Sequence, residues 1–553
     1  MHFGVEADFA LRLRYNPEHL SMSPRSRFAL AVSFLILLFS CKILAQPNPA
    51  DRHATASNPE ARTARYLDSI RTQPSLLLEF LRAMPKGGDL HNHLSGAIYA
   101  EDFIPWAVED NLCLNRHTFA YVAPPCDAEK NTVPAKEILS DPTLYQQVID
   151  AQSMRSFNGP ESGHDHFFAT FSKFSLASKE HLGDMLAAVA AQAAADNVSY
   201  VELLLTPDRG GAERLASDNK IAFDDNLAAM REKLMNAGLR QVVTDGLHNL
   251  DDAEAHMRQV LHCGTSQASP GCNVTLRYQY EVGRGRAPAM VFSQMLLGFE
   301  LANTDPRMID INPVMPEDWY IPMHYFDLHM RMISYLHGLY PKVHLSLHAG
   351  ELWTGVVPPV GLGNHIRRSI EIGNANRIGH GVDVMFEDDP VGLLREMAAR
   401  KIAVEINLTS NDVILGVRGE QHPFPIYRQF GVPVVICTDD PGVSRSNMTQ
   451  EYVRAVRDYK LTYPELKQIV RNSLEFSFLQ GDSLWTDSTY THRVAACPGR
   501  VTEKPSAACE QFLTHNRRAR LQWRLESDFD RFESETCCTI PVSSGPVTSV
   551  SVR

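Results

Sequence analysis

Eight short apolar runs, rich in β-branched residues and each bounded by turn or polar residues, occupy 87–91, 198–205, 274–282, 294–301, 342–348, 376–380, 402–408 and 432–438. Their length suits strands rather than helices. Between most of them the pattern turns helix-like, as at 181–196, 222–237, 323–340, 363–373, 389–400 and 422–430. Strand and helix in alternation predict parallel strands, because each helix returns the chain to the end where the previous strand began. Eight such units predict a closed TIM-type (β/α)8 barrel of the α/β class, with all C-terminal strand ends on one face.

With 44% hydrophobic and 21% charged residues over 553 positions, the chain can fill so large a core. The barrel is expected over 63–480, opening on a helix at 63–83. Roughly 100 residues separate the first two runs, too many for a simple connection. The segment 99–165, with Pro124-Pro125 and a helix-like piece near 141–157, therefore reads as an insertion beside the barrel top. A Thr/Ser/Pro-rich stretch at 484–507, a charged helix-like stretch at 510–534 and a Ser/Val/Pro tail make 481–553 a C-terminal extension.

Residues 1–45 read as a leader. Arg25 and Arg27 precede an apolar run at 28–39, which is short for a membrane span and suits a secretory signal with cleavage after Ala45, a retained membrane anchor being the alternative. Met22 is an alternative start, and Leu38-Phe39-Ser40-Cys41 offers a second reading as a lipoprotein signal at Cys41. Residues 46–62, with Pro47, Pro49 and Pro59, form a linker. The expected protein is exported, periplasmic or extracellular, with no integral span once processed. Export favours disulfides, and Cys113/Cys126, Cys263/Cys272 and Cys497/Cys509 fall into sequence-local pairs, while Cys437 reads as a buried free thiol. Cys537-Cys538 has no clear reading. A net charge of −12 argues against general nucleic-acid binding, which needs a positive face.

Three pieces at the ends of apolar runs carry chemistry. His91 and His93 are two apart, which puts both on one side of an extended segment. His348 ends Val343-His344-Leu345-Ser346-Leu347, and Gly350 lets the backbone turn so that Glu351 faces a ligand. Asp439 and Asp440 follow Val434-Val435-Ile436-Cys437, and adjacent carboxylates repel unless a cation or proton compensates. Each has a plainer explanation: surface imidazoles, a salt-bridging glutamate, a turn with one Asp as helix cap. His380 in Arg377-Ile378-Gly379-His380-Gly381 adds a fourth piece, although the glycines alone would make a turn.

In order, Met84-Pro85-Lys86-Gly87-Gly88-Asp89-Leu90-His91-Asn92-His93, Ser346-Leu347-His348-Ala349-Gly350-Glu351, Arg377 to Gly381, Asn407-Leu408-Thr409-Ser410-Asn411 and Thr438-Asp439-Asp440-Pro441 resemble the adenosine deaminase family over roughly 84–480. The opening Met-Pro-Lys-Gly phrase, the leader and the insertion are similar to its secreted branch, the adenosine deaminase-related growth factors. The resemblance implies one zinc ion held by His91, His93, His348 and Asp439. It implies Glu351 as proton donor to purine N1, His380 as base and orienter of the attacking water, and Asp440 as a purine contact. It implies a small-molecule purine nucleoside as partner, with adenosine and deoxyadenosine converted to inosine products and ammonia. Glu351 must then start protonated, which predicts a raised pKa. Two positions depart from the family pattern: Ser95 stands where an acidic residue meets the ribose, and Asn303 in Glu300-Leu301-Ala302-Asn303 where a glycine amide meets the purine. Trp106 or the stretch His166 to Phe171 could wall the pocket, although Phe167, Phe171 and Phe174 also have the spacing of a helix's core face.

Three rival readings compete with this one. Ser95 keeps adenine or another aminopurine open as substrate. A non-catalytic nucleoside-binding or signalling protein would have lost ligands, yet all are present. A two-metal hydrolase would carry a lysine at the end of a middle strand, and none closes 198–205, 274–282 or 294–301. The H-x-E with P-C-x-x-C pattern of cytidine deaminases is missing. The sequence leaves the oligomeric state open, a homodimer included.

Overall fold

A computed structural model describes residues 58–159, 162–501 and 503–536. The chain divides into two units, Met1–Ala61 and Arg62–Arg553, and the second holds the barrel. The leader with Cys41, the linker as far as 57, Cys537-Cys538 and the tail lie outside the described residues.

Strand β1 (Gly87–His93) is followed, inside the insertion, by β2 (Cys113–Asn115), β3 (Tyr121–Val122) and β4 (Thr132–Pro134). Then come β5 (Val198–Leu205), β6 (Thr275–Gly283), β7 (Met308–Val314), β8 (His344–Ala349), β9 (Arg377–His380), β10 (Ala403–Ile406) and β11 (Val434–Ile436). The eight-stranded sheet runs β1-β5-β6-β7-β8-β9-β10-β11, parallel throughout. Its two ends meet where His93 N–H donates to Asp439 O and Asp439 N–H to His91 O, both at 2.9 Å. The sheet therefore closes into the expected (β/α)8 barrel, and the closing seam joins two of the chemically marked segments. The strands are buried almost end to end, as helices outside and side chains inside require.

One strand assignment is corrected. The run 294–301 lies within the helix Pro288–Thr304, and the strand is β7, Met308–Val314. Eleven residues of that helix are buried, so it is apolar on nearly every side and lacks the amphipathic period that marks a surface helix. β7 reads Met308-Ile309-Asp310-Ile311-Asn312-Pro313-Val314, and its buried Asp310 and Asn312 disguised it. No lysine closes it either. The helix expected over 63–83 is two, Pro59–Ile70 and Pro74–Ala83, because Pro74 cannot continue a helix but starts one well.

The insertion folds as the helix Ala100–Glu109, the antiparallel sheet β3-β2-β4 and the helix Pro142–Ala151, with Cys113 bonded to Cys126. Cys263–Cys272 and Cys497–Cys509 are also bonded, and Cys437 is a buried free thiol. The extension does not hang free. The charged stretch forms Ala507–His515 and Arg517–Thr536, and the latter buries Trp523, Leu525, Phe529 and Phe532. Its Glu533 accepts from Lys467 Nζ at 2.7 Å, and Glu526 pairs with Arg471 through two bonds of 2.8 and 2.7 Å. Among the described residues no helix is long and apolar enough to cross a membrane.

Candidate functional site

His91 and His93 end β1, His348 lies in β8, His380 ends β9, and Asp439 and Asp440 follow β11; Glu351 stands two residues after β8. Parallel strands with one polarity bring all seven to the C-terminal mouth of the barrel. His380 and Asp439 have φ of 69° and 61°, the left-handed region, which costs a non-glycine residue about 1–3 kcal/mol. The last turn of both strand ends is therefore held by its surroundings. Gly350, at φ +76°, makes the turn that aims Glu351. A Cβ on Gly96 would lie 1.6 Å from Asp440 Oδ1, so only glycine lets Asp440 lie against the chain after β1.

Donor atoms of His91, His348, His380 and Asp439 fall within 4.8 Å of one another. His93 Nε2 is 3.3 Å from His348 Nε2, and Asp439 Oδ1 lies 3.2 Å from His91 Nε2 and 3.3 Å from His93 Nε2. The outer nitrogens are already engaged: His91 Nδ1 with Glu405, His93 Nδ1 with Glu281 and His348 Nδ1 with Asn312 Oδ1, each at 2.7 Å. Those acceptors hold the ring protons on Nδ1 and turn three Nε2 lone pairs toward one point. His91 Nε2 is buried without a hydrogen-bond partner. Burial disfavours a charged imidazole there, yet Asp439 and Glu405 draw the His91 pKa up to about 9, so its surroundings demand positive charge. Three imidazoles and a carboxylate around a point that requires a cation fit zinc. His380, also within reach, sits farther from Asp439 at 4.0 Å.

Burial, with the charges of Asp439 and Glu317 nearby, holds Glu351 well above the usual carboxyl range. These surroundings favour its protonated form. Asp440 is raised to about 8 by burial and by Asp439, against the pull of His93. It is the first residue of a helix cap but makes no capping bond, which leaves its side chain to the cavity. Burial pushes His380 down to about 4 against Asp439, below the ordinary imidazole value expected for a base. Its tautomer follows from a chain of bonds. Phe424 N–H donates to His422 Nδ1, so His422 Nε2–H donates to Asn411 Oδ1 at 3.0 Å, and Asn411 Nδ2–H donates to His380 Nδ1 at 3.0 Å. The neutral ring then carries its proton on Nε2, the buried nitrogen that faces the cage.

Above the cage is a cavity of about 460 Å³, lined by His93, Ser95, Glu281, Met315, Trp319 and Glu351 among others. Ser95 lies in its wall as expected. Asn303 does not: it is exposed near the end of the helix Pro288–Thr304, displaced from the site by the mistaken strand. Trp106 stacks on His181, with ring centroids 5.1 Å apart, and is not part of the wall. Phe167 and Phe171 do both jobs proposed for them, packing in the core cluster while lining the cavity.

Several working residues escaped the sequence reading. Glu405 and Glu281 sit inside apolar runs, where a lone acidic residue was the available signal; Asn312 was lost with β7. Glu317 accepts Gly350 N–H and Glu351 N–H at 3.1 and 2.9 Å and His365 Nδ1 at 2.5 Å, so it holds the loop that carries Glu351. Beneath the cage Arg377, fully buried, bonds Glu405 and Glu202 at 2.5 Å each. Gln279 connects Glu202 to Asn312 at 3.2 and 3.1 Å, so a continuous polar chain joins the outer faces of His91 and His348.

Residues 317–484 match the family model described as adenosine deaminase. The adenosine deaminase of Enterococcus faecalis is 32% identical over 142 residues, covering 26% of this chain and 39% of that protein. The adenosine deaminase of Clostridium perfringens is 30% identical over 135 residues, covering 24% and 37%. The chain thus spans under two fifths of the length of the curated relatives it matches. Among solved structures, adenine deaminase from Arthrobacter aurescens aligns with a TM-score of 0.46 and 16% identity, over 72% of this chain and 94% of that one. Residues 317–484, where the chain matches the adenosine deaminase family model, hold His348, Glu351, His380, Asp439 and Asp440.

Proposed function

We propose that this chain is a zinc-dependent aminohydrolase that converts adenosine, and 2′-deoxyadenosine, to inosine products and ammonia. The observation that carries the reading is a buried Glu351, held toward its protonated form, beside His91, His348 and Asp439, with His93 Nε2 3.3 Å from both His348 Nε2 and Asp439 Oδ1. Zinc, when bound there, acidifies water toward a pKa of about 7 and so supplies a nucleophile at neutral pH. Glu351 gives its proton to purine N1, which lets C6 accept a water oxygen and the ring hold the resulting tetrahedral carbon. His380, through Nε2, orients the incoming oxygen; of the two roles expected of it, this is the one its hydrogen bonds support. Asp440, raised by burial, is in a form that can share a hydrogen bond with a ring nitrogen. Passage of the new C6 hydroxyl proton to the amino group then lets the C6–N bond break, which releases ammonia and leaves a C6 carbonyl.

Glu281 favours the nucleoside over the free base, since a carboxylate beside Ser95 in the cavity wall can meet a sugar hydroxyl. Ser95 itself supports adenine as the second reading, because it offers no charge to the ribose. Export to the periplasm or cell exterior, and membership of the secreted growth-factor branch, belong to the same proposal; the three disulfides support export. Ammonia release from adenosine, deoxyadenosine, adenine and AMP tests the assignment. Fastest turnover of adenosine, with Glu351→Gln inactive but metal-loaded, supports it. Faster adenine turnover overturns the nucleoside assignment.

A further inference from the structure

The cavity over the cage does not end at Ser95. Ser95, Phe171, Ser175 and Glu281 line it and also line a second chamber of about 340 Å³. No cage residue borders that chamber. Leu94, Phe171, Leu182, Met185 and Leu205 make its apolar side, facing Ser178, Lys179, Thr206 and Arg209. At the rim, Lys179 and Arg209 share Glu180 at 3.9 and 2.9 Å, so a phosphate would meet cations that already have an anionic partner. The side chamber thus offers one apolar side and no free anion cradle, and the short side chain of Ser95 stands at the junction.

We infer that this chamber is a subsite for an apolar substituent on the substrate's sugar, a thioether or alkyl chain at the 5′ carbon. The inference rests on the deaminase reading. The purine edge that reacts faces Glu351 and His380, so the sugar, attached at the opposite side of the ring system, points away from the cage. Its 5′ carbon is the outermost atom and the one a substituent extends without disturbing the ring. Transfer of one methylene from water to an apolar wall is worth about a fourfold change in an equilibrium or rate ratio, and a chamber of this size has room for several.

The test measures kcat/KM by ammonia release for adenosine and for 5′-deoxy-5′-alkylthioadenosines with methyl, ethyl and propyl chains, on the full-length zinc-loaded protein. The expected result is a rise of about threefold to fourfold per added methylene. Leu182→Trp and Ser178→Trp, which fill only the side chamber, should each erase that rise while leaving adenosine turnover within about twofold. Rejection of the alkylthio series by an enzyme that turns over adenosine overturns this inference alone. A rise that survives both tryptophan plugs, verified as folded by zinc content and adenosine turnover, also overturns it. No ammonia from any of the nucleosides overturns the deaminase reading with it.

Discussion

Replacing Glu405 with glutamine separates the carboxylate behind His91, a proposed zinc ligand, from the ligand itself. Glu405 is fully buried, accepts from His91 Nδ1 at 2.7 Å and Ser346 Oγ at 2.7 Å, and pairs with Arg377 at 2.5 Å. Glutamine keeps the shape and removes the charge that raises the basicity of His91. Loss of such a partner typically weakens metal binding by about tenfold to a hundredfold, ~1.4 to ~2.7 kcal/mol. A second cost falls on Arg377, which keeps Glu202 but loses one of two buried carboxylates. Breaking a buried pair outright costs about 3–5 kcal/mol, and the surviving Glu202 places this change at or below the lower end. Zinc affinity is read by chelator competition, and stability by urea unfolding with chelator present. Glu396→Gln, at an exposed i,i+4 pair with Arg400, is the control, expected to shift neither by more than about 0.5 kcal/mol. A folded Glu405→Gln protein whose zinc affinity lies within about twofold of the parent would show that the carboxylate does not tune its ligand.

Glu351→Gln should lower ammonia release by about 10²–10⁴ with zinc content unchanged, since it removes a proton donor and no ligand. Gly96→Ala should cut kcat/KM by at least about tenfold at full metal occupancy, because the new Cβ occupies the place of Asp440 Oδ1; activity equal to the parent would contradict that packing. Asn411→Leu removes the donor that sets the tautomer of His380, and a fall in kcat of about tenfold or more with little change in KM is expected. Acid stability should depend on Glu317. Burial would raise its pKa, but His365, Arg284 and the Glu351 N–H lower it to about 2. A carboxyl depressed on folding contributes stability above its ordinary value near 4.5, and that contribution is lost as pH falls toward 2. Glu317→Gln should therefore show a shallower loss of stability over that window than the parent, by about 3 kcal/mol in total.

Much of the barrel was legible because its strands are short, apolar and punctuated, and because each site residue stands where such a run stops. His348, His380 and Asp439 were found by position before any role was assigned. Polar residues in the interior broke the rule. Asp310 and Asn312 made β7 look unlike a strand, while the helix Pro288–Thr304, apolar on all sides, looked like one; Asn303 was misplaced as a direct result. The residues that orient the ligands lay hidden for a related reason. Glu405 is next to His91 only through strand pairing around the barrel, 314 residues away in sequence. Glu317 was invisible because a loop glutamate has no periodicity, and only the fold brings it under Gly350. Ser95 could be located, but the chamber it opens into is made by the helices Gly163–Ser178 and Leu182–Ala195 and by β5, whose meeting no local pattern records.

Everything proposed for this chain turns on one zinc site, with Glu351 beside it, deaminating a purine nucleoside. Metal content and ammonia release, measured on the same preparation before and after chelation and zinc return, test that together. About one zinc per chain is expected, with ammonia and inosine formed in equal amounts from adenosine, loss of both zinc and activity on chelation, and recovery of both with zinc. A protein that holds zinc at that stoichiometry and releases no ammonia from adenosine would contradict it.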